Sequence, residues 1–172
     1  NHVINNLSYP LHRMILGAKN QEGAKIYYSS APLKQEFGKL NMGAGSIYTQ
    51  ESRSCDEFEL CKMMTFDTFW MEYLDSYFQK NVRRCVMKID VEGAELDVIS
   101  GMKNFLLSNK ETEIILVVEL LFDSIGELCE KVVDLMESFG YELHNYLDEK
   151  IEDYKKLSSG NYIFFRTRYP DV

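Results

Sequence analysis

The sequence predicts an α/β fold with a doubly wound, mostly parallel sheet, and three observations carry that expectation. Cys85 to Gly101 reads CVMKIDVEGAELDVISG. There a short apolar run (Val86, Met87, Ile89) is closed by Asp90, turns at Val91-Glu92-Gly93, and passes into a helical period with Leu96, Ile99, Met102 and Phe105/Leu106 on one side. Strand, acidic tip, glycine turn and helix in that order make half of a βαβ unit. Next, Glu113 to Leu121 (EIILVVELL) is an almost unbroken apolar run, as expected of a parallel strand covered on both faces. Finally, strand-like and helix-like segments alternate along the chain.

In order, residues 1–10 look like the tail of a helix and a turn ending at Pro10. Leu11–Leu16 reads as a short strand, Gly17–Gly23 as a turn-rich connection and Ala24–Ser29 as a strand, so that Leu11–Ser29 forms a hairpin or a strand with a surface extension. Residues 30–60, with Pro32, Gly38, Gly43 and Gly45, read as one long irregular segment, the kind that serves as a lid or binding loop. Phe66, Phe69, Trp70, Tyr73, Leu74, Tyr77 and Phe78 fall at helical spacing, with Asp67 as the expected N-cap. Such an aromatic stripe is read as core rather than as a cofactor box. The next helix spans Gly93–Ser108, with Glu95 and Asp97 in its dipole-favoured first turn. Ile125–Phe139 is amphipathic and stops at Gly140. Tyr141–Tyr146 and Asn161–Thr167 read as the last strands, joined by a polar connection.

At 172 residues and 45% hydrophobic composition, the chain has the size and apolar content of one domain with a sizeable core. Its net charge is −8, without a basic run, so neither nucleic acid nor an anionic membrane surface is an expected partner. No apolar segment reaches the length of a transmembrane span, and residues 1–20 lack the charged start and apolar core of a signal peptide. Cys55, Cys61, Cys85 and Cys129 match no zinc spacing. Buried free thiols in a reducing, cytoplasmic setting are the expectation.

Five stretches carry a resemblance to one family. KIDVEGAE at Lys88–Glu95 followed by VISG at Val98–Gly101 resembles the signature of FkbM-type methyltransferases. LGAKNQEGAKIYYSS (Leu16–Ser30), TFD (Thr65–Asp67), VVEL (Val117–Leu120) and FGYEL (Phe139–Leu143) resemble further parts of that family in the same order. The resemblance implies a Rossmann-like sheet with an antiparallel last strand, S-adenosylmethionine as cofactor, and O-methylation of a hydroxyl on a small-molecule, sugar or lipid-linked acceptor. It also implies that Gly17 and Ala18 lie near the adenine. The family's glycine-rich cofactor loop after its first strand has no counterpart; Gly43–Gly45 neither follows a strand nor opens a helix. The expectation is therefore a single domain lacking the first βαβ unit, either amino-terminally truncated or a naturally shortened relative, with a bare strand edge that would aggregate, form a homodimer or need the missing part.

Moving a methyl group onto a hydroxyl requires alignment and a base for the departing proton. Asp90 and Glu92, at the carboxyl end of a strand where ligand crevices of open α/β sheets lie, are the candidate catalytic pair. Asp90 is equally suited to contact the cationic cofactor. Lys88, two residues earlier and on the same face, is placed to keep a carboxylate ionised. Glu119, a second acidic strand tip, and Ser46, in the glycine-rich loop, are candidates for the acceptor. Against these stand plainer readings: Asp90 as a strand-end residue, Glu92, Glu95 and Asp97 as helix-dipole partners, Gly17–Ala18 as a turn, and His144 as a solvent-facing histidine. Two other functions compete, a non-catalytic methyltransferase-like binding or assembly module and, on residue types alone, a two-carboxylate hydrolase using Asp90 and Glu119.

Overall fold

The computed structural model describes residues 12–28, 47, 57–78, 82–147 and 149–166. Two sheets form where one was expected. In the first, β3 (Glu57–Met64) lies between β1 (Ile15–Leu16), which runs parallel to it, and β2 (Gln21–Tyr28), which runs antiparallel. In the second the order is β4 (Arg84–Ile89), β5 (Glu113–Leu120), β7 (Gly160–Arg166), β6 (Tyr141–His144). β4 and β5 pair in parallel, and β7 runs against both of its neighbours, β5 and β6. Strand β3 lies partly in the stretch read as irregular, and it separates β1 from β2, which therefore form no hairpin with each other. Its alternation is inverted for a half-buried strand: Phe58 and Leu60 stand on the exposed side, while Glu59 alternates to the other, where it pairs with Arg13.

The core lies on one face of the second sheet. Ile114, Leu116, Val118 and Leu120 of β5 are buried against Val98, Ile99, Met102, Phe105 and Leu106, and against Val132, Val133 and Met136 of α5 (Phe122–Ser138). Each fully buried aliphatic side chain contributes about 2 kcal/mol through its removal from water. The other face of β5, Glu113, Ile115, Val117 and Glu119, is only partly buried, so the strand is not sealed equally on both sides as its composition suggested. Cys129 is buried, Cys61 and Cys85 half-buried, and all three are free thiols; Cys55 lies outside the described residues.

The aromatic stripe forms α1 (Phe66–Phe69), a π-helical turn (Trp70–Leu74) and α2 (Asp75–Phe78). Its first half is core as expected: Phe66 is buried, Phe69, Trp70 and Leu74 pack half-buried against it, and Phe66 and Trp70 are set edge-on to Phe105 at 4.9 and 5.3 Å, whereas Tyr73 is exposed. Its cap is Thr65, whose Oγ1 accepts from the Thr68 N–H at 3.1 Å, and not Asp67.

Asp67 has a different task. The helix expected over Gly93–Ser108 is broken into α3 (Glu95–Ser100) and α4 (Lys103–Ser108). At the break, the Gly101 carbonyl accepts from the Asp67 N–H at 2.8 Å. The Asp67 carboxylate in turn accepts from the N–H groups of Asn104 at 3.0 Å and Phe105 at 2.8 Å. One residue from a distant segment thus substitutes for the missing turn of helix and caps α4 across the fold. Gly101 also abuts the Gly17 carbonyl so closely that a Cβ would stand 2.2 Å from its oxygen. Only glycine fits.

Asp67→Ala should therefore lower stability by about 2 kcal/mol, since two helix-end donors lose their acceptor. Gly101→Ala should cost about 3 kcal/mol or more, by forcing the two segments apart. Urea unfolding followed by circular dichroism measures both, with Thr65→Ala, worth about 1 kcal/mol, as the ordinary-cap comparison.

Candidate active site

Between β4 and α3 the chain reverses through a tight turn, Val91-Glu92-Gly93-Ala94. Glu92 has φ 53° and Gly93 φ 97°, and the Ala94 N–H donates to the Val91 carbonyl at 3.3 Å. Positive φ at both central positions is the mirror-image turn that asparagine and glycine normally fill. Gly93 adopts it freely; Glu92 does so at a cost of about 1–2 kcal/mol, the kind of strain that concentrates at functional sites. The turn is held from below by Glu95, whose buried carboxylate accepts from the N–H groups of Gly93 at 3.1 Å and Val91 at 3.3 Å. Glu95 is thus a structural clamp of the turn as well as a first-turn carboxylate of α3.

The clamped turn leaves Asp90 at the carboxyl end of β4. The parallel register pairs Ile89 with Val118, which sets Asp90 beside Glu119 on β5, on the sheet face away from the core. Lys88, two residues back on that face, donates to Asp90 Oδ2 at 2.9 Å. This bond, foremost, and then the hydrogen bond shared with Glu119 hold the Asp90 carboxyl below its ordinary value. Glu119 moves the other way: sharing a hydrogen bond with Asp90 and partial burial raise its carboxyl, with the negative charge of Glu92 adding to the effect. Lys88 itself is raised by its bond to Asp90. Two adjacent carboxyls driven apart in this way titrate as a pair, one ionised readily and the other holding its proton longer.

The other candidates fall elsewhere. Gly17 is buried at the end of β1, with its N–H donating to the Met64 carbonyl at 3.0 Å, and it touches Gly101 at the carboxyl end of α3. Asp90 and Glu92 precede the amino end of α3. Gly17 therefore stands at the opposite end of that helix from the carboxylates, and Ala18 is exposed. Ser46 and Gly43–Gly45 lie outside the described residues. His144 is not solvent-facing: it is the buried last residue of β6, with its ring 4.0 Å from that of Phe165 and its Nε2 3.8 Å from Glu142. Burial pushes the Cys129 thiol up to about 11, too high for a thiolate nucleophile near neutral pH. Among the described residues no group of three or more His, Cys, Asp or Glu could hold a metal ion, and no helix is long and apolar enough to cross a membrane.

Asn161 was not singled out from the sequence. It is exposed on β7 directly opposite Glu119, so Asp90, Glu119 and Asn161 form one row across three strands. No motif marks it; only the pairing register brings it in.

A family model described as Methyltransferase FkbM domain matches residues 4–143, well over half of the chain. No curated protein and no solved structure matches the sequence.

Glycine at position 92 would adopt the observed φ without strain. Glu92→Gly should raise stability by about 1 kcal/mol, whereas the β-branched Glu92→Val should lower it. Chemical denaturation of the two variants checks this. A loss of stability in Glu92→Gly would mean that the carboxylate, and not the backbone, holds the turn.

Proposed function

The chain belongs to the methyltransferase FkbM domain family, and from that premise we propose that it is an S-adenosylmethionine-dependent O-methyltransferase, with a Rossmann-like sheet whose carboxyl edge carries the reaction. One observation supports this above the rest: Asp90 and Glu119 stand side by side at the ends of two parallel strands with their proton affinities driven in opposite directions. Open α/β sheets bind ligands at that edge, and chemistry that needs both a cation contact and a base is served by two carboxyls of unlike affinity.

The donor set fits the cationic end of the cofactor. When bound, S-adenosylmethionine supplies a methyl group on a positively charged sulfur. Asp90, kept ionised by Lys88, is the carboxylate that faces this charge or the ammonium of the same molecule. Glu119 is the better proton acceptor of the two, because its carboxyl is raised; it takes the proton of the acceptor hydroxyl. Glu92 strengthens the negative field at the same edge. Gly17 and Ala18 are the nucleoside residues by family position, and Ser46, outside the described residues, is assigned to the acceptor. The carboxylates carry the proposal; these others are secondary to it.

Calorimetric titration of the chain with S-adenosylmethionine and with its uncharged product, S-adenosylhomocysteine, tests the division of labour. Micromolar binding of the cofactor is expected. Asp90→Asn should weaken S-adenosylmethionine at least tenfold while shifting the melting temperature by only about 2–4 °C, since the residue is exposed. A loss confined to the charged ligand would place Asp90 at the sulfur, and an equal loss for both would place it at the ammonium group. Glu119→Gln should leave both affinities within about twofold. Equal loss in the two variants would overturn the assignment of base and cation contact. Failure of the unaltered chain to bind either ligand would favour a methyltransferase-like binding module instead.

A further inference from the structure

Strand pairing fixes what stands beside the carboxylates. Lys88, Val117, Ile163 and His144 form one row across β4, β5, β7 and β6, and Asp90, Glu119 and Asn161 form the row two residues nearer the edge. β6 runs in the same direction as β4 and β5. It stops at His144, and the chain returns to pair Lys150 with that residue. The described residues of the tip between them, 145–147 and 149, therefore stand at the carboxylate edge of the sheet. At about 4.8 Å per strand, β6 lies about 10 Å from β5, the span of one to two six-membered rings, with Asn161 between.

The tip is stiff. Asn145 Oδ1 accepts from the N–H groups of Leu147 at 2.8 Å and Glu149 at 3.0 Å. Its side-chain amide donates to the Glu149 carboxylate at 2.8 Å, and its own N–H to the Glu149 carbonyl at 3.0 Å. A Lys150–Glu142 pair at 2.8 Å closes the base. This frame holds out two large apolar side chains, Tyr146, 81% exposed, and Leu147, 62% exposed.

We propose that this tip is the acceptor-docking arm of the carboxylate site, and that the acceptor is an uncharged, hydroxylated ring compound. The proposal rests on the methyltransferase reading above. The apolar face of such a ring lies on Tyr146, which offers a rigid aromatic surface at little cost in conformational entropy. Its hydroxyl groups donate to Glu119 and exchange hydrogen bonds with the Asn161 amide. An anionic acceptor is disfavoured: Asp90, Glu92 and Glu119 crowd the edge, and the whole chain carries a net charge of −8.

Saturation-transfer NMR with the methyl glycosides of glucose, mannose and galactose, with glucose 6-phosphate as the anionic counterpart, tests this on the full chain with and without S-adenosylhomocysteine. At least one methyl glycoside should bind, and the phosphate should not. Tyr146→Ala should weaken the glycoside at least tenfold and Leu147→Ala several-fold, with unchanged melting curves and S-adenosylhomocysteine affinity within twofold. Equal glycoside binding by Tyr146→Ala and the unaltered chain, or no glycoside binding at all, would overturn the docking arm while leaving the cofactor reading intact. Tyr146-dependent glycoside binding by a chain that ignores S-adenosylhomocysteine would instead retain the arm as a sugar-binding element and discard the methyltransferase.

Discussion

Asp67 and Gly101 are the joint on which the described structure turns. A helix leaving the β4 turn would run on past residue 101 if its hydrogen bonds were its only concern. Instead the Gly101 carbonyl is taken by the Asp67 N–H, and the Asp67 carboxylate answers the donors of α4. The same glycine receives the Gly17 backbone, and Asn20 bonds both the Thr65 N–H at 2.9 Å and the Thr68 hydroxyl at 3.0 Å. Within a few residues, the small sheet, the aromatic helix and the helices behind the large sheet are tied together. Backbone groups that are satisfied only when all three elements are in place make the arrangement cooperative.

The second constraint acts at the other end of α3. A strand that must reverse into a helix within four residues needs left-handed backbone, and the chain meets that need with one glycine and one strained glutamate. The buried Glu95 carboxylate holds the turn closed. Parallel pairing with β5 then leaves no freedom over what faces Asp90: the register dictates Glu119, and antiparallel pairing with β7 dictates Asn161. The proposed chemistry depends on that row. A slip of one residue would turn the carboxylates toward the core.

Much of this was legible in the sequence where a segment obeys one strong period. The β4 turn and the start of α3, the apolar run of β5, the amphipathic α5 with its glycine stop and the placing of Lys88 on the face of the carboxylates all follow from local spacing; that its partner is Asp90 rather than Glu119 does not. β3 was not legible, because its alternation places Phe58 and Leu60 on the exposed face and fills the rest with glutamate, lysine and methionine. The break at Gly101 was hidden for a different reason: apolar spacing continues straight through Met102 and Phe105, and the partner that interrupts the helix is 34 residues away. Asp67 therefore looked like a cap for its own helix when it serves another. The division into two sheets, and the placing of the end of β6 at the same sheet edge as the carboxylates, are matters of pairing order, which composition and period do not encode.

The account stands on Asp90 and Glu119 acting as one unit. Carbon-13 NMR titration of the side-chain carboxyls measures that directly. Glu119 should release its proton above the ordinary glutamate value of 4.5 and Asp90 below the ordinary aspartate value of 3.8, and in Asp90→Asn the Glu119 midpoint should fall toward its ordinary value, since the largest cause that raises it is removed while its partial burial remains. Two independent titrations at ordinary values, unmoved by that substitution, would show the pair to be neighbours in space and nothing more.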